Sequence, residues 1–183
     1  MRNIIFDLLI EALSDFYRFE MRNLQLDVHE IAHGHRLAYY LEKRIRMYDR
    51  EHKTSIFGVY SVDLEFNKTE GGNPKIVFYN NKYHQTRCDI LLHSKGRNPE
   101  QENLLIIELK KGDSDNRAEN DINEIKRMVS PPKKGAKDSK ICGTLLGVFL
   151  RIYQNQYNGI KYWYENGSVN EETFDKNLCD EAN

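Results

Sequence analysis

Apolar residues recur at helical spacing from about Ile4 to Phe19, with Ile5, Leu8, Leu9, Ala12, Leu13 and Phe16 on one face, and predict an amphipathic helix. Asn23 and Gln25 are expected to break it. A second helix is predicted from Asp27, a good N-cap, to about Tyr48, with a polar stretch from Asp49 to Ser55 after it. The period then drops to two. Val59 to Asn67 reads as a strand, with Val62, Leu64 and Phe66 alternating with Asp63 and Glu65. Gly71 to Pro74 is a turn, Lys75 to Tyr79 a short strand and Arg87 to His93 another. A polar loop from Ser94 to Glu102 leads to the apolar strand Leu104 to Lys110. A polar helix is expected over about Arg117 to Met128, stopped at Pro131-Pro132 and followed by a basic loop, Lys133 to Lys137. Cys142 to Ile152 is a long apolar strand, and about Ile160 to Tyr164 a last one paired with it. The economical packing is α/β: one mixed β-sheet flanked by helices on both faces. Residues 1–167 are expected to form one domain, and 168–183 a polar, frayed C-terminal tail.

Composition narrows this picture. A chain of 183 residues with 39% hydrophobic and 30% charged residues suits one soluble domain. The net charge of −1 supplies no global field toward nucleic acid or membrane, although a local basic rim would suffice for the former. Cys88, Cys142 and Cys179 are far apart and lack zinc-site spacing, which points to a reducing, cytoplasmic setting. The opening apolar stretch is broken early by Asp7 and Glu11, so neither a signal peptide nor a membrane span is expected.

An acid two residues before a lysine occurs at Glu108-Leu109-Lys110, Glu124-Ile125-Lys126 and Asp138-Ser139-Lys140. Only Glu108 and Lys110 end an apolar strand, where period two puts both on one face. Such charges are costly to bury unless they are paired or bind something. Asp89 interrupts the short apolar run Cys88 to Leu92, and a loop of hairpin type joins that run to the strand of Glu108. Antiparallel pairing would set Asp89 beside Glu108. Two carboxylates this close repel, and a proton or a hard divalent cation, Mg²⁺ or Mn²⁺, resolves the conflict.

Asp89 followed by Glu108-Leu109-Lys110 at the end of the next strand resembles the motif that names the PD-(D/E)XK nucleases. The resemblance implies a restriction-endonuclease-like α-β-β-β-α-β core over roughly Asp27 to Ile152, with the N-terminal helix as an addition. Cys88 stands where the motif usually has proline, a position that binds no metal. The resemblance further implies that Asp89, Glu108 and the Leu109 carbonyl hold the metal, that Lys110 orients the attacking water, and that an acid on the first core helix assists. Glu30 falls in line with Leu37 and Leu41 and stands ahead of Glu42 for that role; Glu65 is a third candidate. The implied partner is nucleic acid, DNA ahead of RNA, and a homodimer is left open. Arg87, Lys95, Arg97 and Lys111 are expected to form the phosphate rim, extended by Lys126, Arg127, Lys133 and Lys134.

A competing motif is His29-Glu30-Ile31-Ala32-His33, the H-E-x-x-H of zinc proteases. By helical spacing, His29 and His33 share a face with Arg36, Tyr40 and Lys43, opposite Leu37 and Leu41, so the expectation is two exposed histidines. A third reading is a non-catalytic binding module on the same fold, favoured by the near-neutral charge.

Overall fold

The computed structural model describes residues 1–26, 28–65, 76–79, 82–113, 118–132 and 141–177. Asp27, the turn at Gly71 to Pro74, the basic loop at Lys133 to Lys137 and Cys179 lie outside them, and the second helix starts at Glu30 with His29 as its N-cap, not at Asp27.

Two long helices come first, α1 (Arg2–Gln25) and α2 (Glu30–Glu51). The strands follow: β1 (Ser61–Leu64), a separate β2 (Ile76–Tyr79) and β3 (Lys82–Gln85) hairpin, β4 (Ile90–His93) and β5 (Asn103–Lys111). Helix α3 (Ala118–Val129) then crosses to β6 (Leu146–Ile152), β7 (Gln156–Glu165) and β8 (Ser168–Asn177). The main sheet has the order β1-β4-β5-β6-β7-β8. The pairs β1–β4, β4–β5, β6–β7 and β7–β8 are antiparallel, and β5–β6 is parallel across the α3 crossover. The protein is therefore an α/β structure on one mixed sheet. Among the described residues, no helix is long and apolar enough to cross a membrane.

From Leu105 on, past a register shift at the start of the strand, the side chains of β5 sort by parity, as a pleated strand requires. Leu105, Ile107 and Leu109 join the core formed with α1 and α2, whereas Ile106 joins the core under α3 with Ile125, Met128 and Val129. Helix α3 lies close on the sheet because β6 carries Gly147. A Cβ there would stand 2.4 Å from Ile125 Cγ2 and 2.9 Å from Val129 Cγ1. Gly147→Ala is expected to cost about 1–3 kcal/mol through overpacking, read as a drop in urea midpoint at unchanged m-value.

Three expectations are corrected. Helix α1 runs on past Asn23, whose amide donates to Glu20 Oε2 (2.6 Å) instead of ending the helix. The strand expected from Cys142 starts only at Leu146, because residues 141–143 form a turn with Gly143 at φ 79°. That turn closes the end of α3, with the Gly143 and Thr144 amides donating to Ser130 and Met128 carbonyls. Finally, residues 168–177 are not a frayed tail but β8, the edge of the sheet. Its side chains are mostly solvent-facing, with Phe174 and Val169 packing on opposite cores, so no apolar alternation marks it. The available signal was Asn166-Gly167, both at positive φ (53° and 85°), the pair that a tight hairpin turn favours.

Candidate active site

The geometry starts from unequal strand lengths. Strand β4 begins at Ile90, opposite Ile107, so β5 runs on from Glu108 to Lys111 without a β4 partner. The register carried one residue further sets Asp89 across from Glu108. The amides of β5 that would have met β4 meet carboxylates instead. Leu109 N donates to Asp89 Oδ2 (2.7 Å), and Lys111 N donates to Glu30 Oε2 (3.0 Å). A residue's N–H and C=O face the same neighbour in an antiparallel strand, so the Leu109 carbonyl faces the Asp89 side as well. Glu30 lies in the first turn of α2 and reaches the strand from the α1–α2 face.

Glu108 and Lys110 project to the opposite face, under the first turns of α3. Lys110 Nζ lies 3.0 Å from Asp121 Oδ2 and 3.8 Å from Glu30 Oε1. Glu108 is buried, at 7% exposure, and its carboxyl is pushed well above the usual carboxylate range. Burial is the largest cause, followed by repulsion from Asp89, Asp121 and Glu124, which the Lys110 charge only partly offsets. Asp89 is raised in the same sense, again by burial first, against the lowering effect of its bond from Leu109 and the charge of Lys110. For Lys110, burial acts downward, but the hydrogen bond to Asp121 and the charges of Asp121, Glu30 and Asp89 outweigh it and hold the amine above its ordinary value. The ammonium thus stays charged in an acid-rich corner.

The structure brings together Asp89, Glu108, Lys110, the Leu109 backbone and Glu30. A pocket of about 280 Å³ opens beside them, lined by Glu30, Asp89, Leu109, Glu65 and Arg87; Glu108 and Lys110 lie on its α3 side and do not line it. Glu42 belongs elsewhere, accepting from Val62 N (2.8 Å) and pairing with Arg46. Glu65 pairs with Arg87 (3.2 Å).

The expected phosphate rim divides. Arg87 and Lys111 are at the site; Lys111 Nζ also donates to Val28 O (3.1 Å). Lys95 and Arg97 are not. They follow the far end of β4, about 15–20 Å from Asp89 at a strand's rise per residue. There Lys95 pairs with Asp63 (2.8 Å), and Arg97 Nε donates to the Ser94 carbonyl (3.0 Å). Lys126 pairs with Glu171 (2.8 Å).

The histidine motif is also corrected. His33 is 1% exposed, with its ring edge-on to Phe16 of α1 at 5.9 Å, and Tyr40 is buried beside it on the same helix. Helix α2 has two covered faces, one on the sheet and one on α1, so the face opposite Leu37 and Leu41 is not solvent. His29 precedes α2 and is exposed. The two rings therefore occupy different environments.

Two further residues lie at the site: Asp121, which the sequence does not single out, and Glu124, whose spacing to Lys126 reads there as a polar helix. Asp121 and Glu124 lie at helical spacing with Ile125 and Met128, on the stripe of α3 that faces the sheet. Glu124 accepts a hydrogen bond from Thr86 Oγ1. That stripe, followed back from Ile125, is the signal that could have found them. Among the described residues, no three His, Cys, Asp or Glu side chains converge as a set for a metal ion. Comparison with protein families, characterised proteins and solved structures found no match to this chain.

Proposed function

We propose that the protein is a metal-dependent nuclease that hydrolyses phosphodiester bonds of nucleic acid, DNA ahead of RNA, in the manner of the PD-(D/E)XK enzymes. The carrying observation is the meeting of Asp89, Glu108 and Lys110 where β5 outruns β4. The topology supports it: a helix, three antiparallel strands, a crossover helix and a parallel strand is the restriction-endonuclease-like order, here α2, β1-β4-β5, α3 and β6.

The residues fit a hard divalent cation. Two carboxylates whose protons are favoured by burial and mutual repulsion, with a backbone carbonyl on the same side, make an all-oxygen donor set. Two side chains and a carbonyl leave the remaining positions to water, as Mg²⁺ and Mn²⁺ accept. Asp89, Glu108 and the Leu109 carbonyl would hold the ion. When bound, the ion supplies neutralising charge at a phosphate oxygen and a more acidic water. Lys110, fixed between Asp121 and Glu30, keeps its proton and directs positive charge to the oxyanion that develops. Glu30 fixes the end of β5 through Lys111 N, which makes it a positioning group here.

Purified protein should nick or linearise plasmid, or degrade single-stranded DNA, with Mn²⁺ or Mg²⁺ and not with EDTA. Asp89→Asn should remove that activity and the calorimetric Mn²⁺ signal together. Metal-dependent cleavage that survives Asp89→Asn would refute the site. Mn²⁺ binding without cleavage of DNA or RNA would favour the non-catalytic binding module.

A further inference from the structure

The helix pair α1–α2 carries an exposed aromatic and cationic surface that folding does not account for. Phe19 is 58% exposed and Tyr39 54%, among the most exposed large apolar residues described. They flank buried Tyr40: Phe19 stacks on it at 6.1 Å and 21°, and Tyr39 meets it edge-on at 5.2 Å. Guanidiniums lie over this ledge. Arg18 is 5.4 Å from the Phe19 ring, and Arg36 is 5.2 Å from Tyr39. Arg18, Arg36 and, at the end of α1, Arg22 add positive charge to these two helices, with Lys43 further along α2. The acids between the helices are already engaged, Glu20 by Arg36 (2.6 Å) and Asp15 by Arg44 (2.7 Å). With Arg36 offsetting Glu20 and Arg44 offsetting Asp15, Arg18, Arg22 and Lys43 remain as the cations in excess around the two rings.

The end of α1 reaches the site. The last turn of α1 and Lys111 line one pocket of about 300 Å³, and Val28, between the helices, accepts from Lys111 Nζ. Arg36 lies six residues along α2 from Glu30, about 9 Å of helix. With Lys95 and Arg97 at the far end of the sheet, Arg18, Arg22 and Arg36 are the cations that could extend the rim begun by Arg87 and Lys111.

We infer that the α1–α2 surface, centred on Phe19 and Tyr39, binds single-stranded nucleic acid and leads it to the end of β5. The inference rests on the nuclease reading for the strand's destination. Unpaired bases offer π-faces to Phe19, Tyr39 and the arginine planes, and the backbone meets Arg18, Arg22 and Lys43. A duplex, with its bases stacked inside, offers the rings nothing.

The test is fluorescence anisotropy of the full chain in EDTA with a labelled oligothymidylate, a duplex of equal length and an abasic oligomer. Phe19→Ala with Tyr39→Ala should weaken oligothymidylate binding by roughly ten- to a hundredfold and leave abasic binding unchanged. Arg18→Gln with Arg22→Gln should flatten the slope of log affinity against log salt by about 1.4, at about 0.7 for each single-strand phosphate that is no longer neutralised. Thermal melts check folding; if the aromatic double variant melts early, Tyr39→Ser alone makes the same comparison. Equal oligothymidylate affinity in wild type and a folded aromatic variant overturns the inference. So does a wild type that binds no oligomer, or that binds only vesicles of phosphatidylcholine and phosphatidylserine. A protein that binds through the rings but cleaves nothing loses the nuclease reading and keeps this surface. One that cleaves with affinity unaffected by the rings does the reverse.

Discussion

Glu108→Gln should stabilise the metal-free protein at pH 8 while abolishing its stabilisation by Mn²⁺. The buried Glu108 carboxyl is held well above the usual carboxylate range, by burial first and then by Asp89, Asp121 and Glu124. In the unfolded chain it ionises near its ordinary value of 4.5. A folded value above the unfolded one favours folding fully below the unfolded value, and that advantage is lost as pH rises through the folded value. Asp89 is raised too and acts in the same sense. Asp15, Asp63 and Glu20 are lowered and act oppositely, losing stability only as pH falls through the acid range. The metal-free protein should therefore lose stability between mildly acid and alkaline pH. Glutamine keeps the shape of the protonated acid and cannot ionise. Its Tm in EDTA at pH 8 should exceed wild type by at least about 2–4 °C, the shift for about 1 kcal/mol in a domain of this size. Mn²⁺ at a hundredfold over its Kd should add about 2.7 kcal/mol to wild type and little to the variant. Melts across pH with EDTA or Mn²⁺ check both. A variant less stable than wild type in EDTA at pH 8 would mean that the Glu108 charge has a partner in the fold and is not waiting for a cation.

The site is legible in the sequence where a strand rule governs it and illegible where tertiary packing does. Glu108 and Lys110 stand out because they end an apolar strand with period two. Asp89 follows because a hairpin loop implies antiparallel neighbours, and the register agrees. Glu30 comes from the helical stripe and lies against the end of β5, whereas Glu42 accepts from Val62 N and pairs with Arg46. Asp121 does not emerge, since an acid near a helix start reads as solvated until the helix is known to cross over Lys110. His33 and Tyr40 are misjudged by assuming one buried face per helix; α1 covers the second. Lys95 and Arg97 are close to Asp89 along the chain, but a strand carries the backbone away from its start, and sequence proximity becomes distance. The strand β8 escapes because an edge facing solvent needs few apolar residues.

On the proposed nuclease reading, Lys110 and the Asp121 that faces it make catalysis and stability separable. Lys110→Ala should lower the cleavage rate by about 10²–10³, the scale for losing one preorganised charge at a developing oxyanion. It should also lower stability. Lys110 and Asp121 are only 17% and 19% exposed in their side chains, at 3.0 Å, so the substitution strands a half-buried carboxylate. A buried polar group left unsatisfied costs about 1–3 kcal/mol, which is the drop to expect in chemical denaturation. Adding Asp121→Asn to Lys110→Ala removes the stranded charge and relieves repulsion on Glu108, one of whose neighbours is Asp121. The double variant should regain most of the lost stability and none of the lost cleavage. Asp121→Asn alone, with Lys110 in place but less firmly held, should keep more activity than Lys110→Ala and show it as a reduced kcat with KM little changed. A double variant that recovers cleavage along with stability would make Lys110 a structural residue and remove it from the chemistry. Cleavage unchanged in Lys110→Ala would do so at the first step.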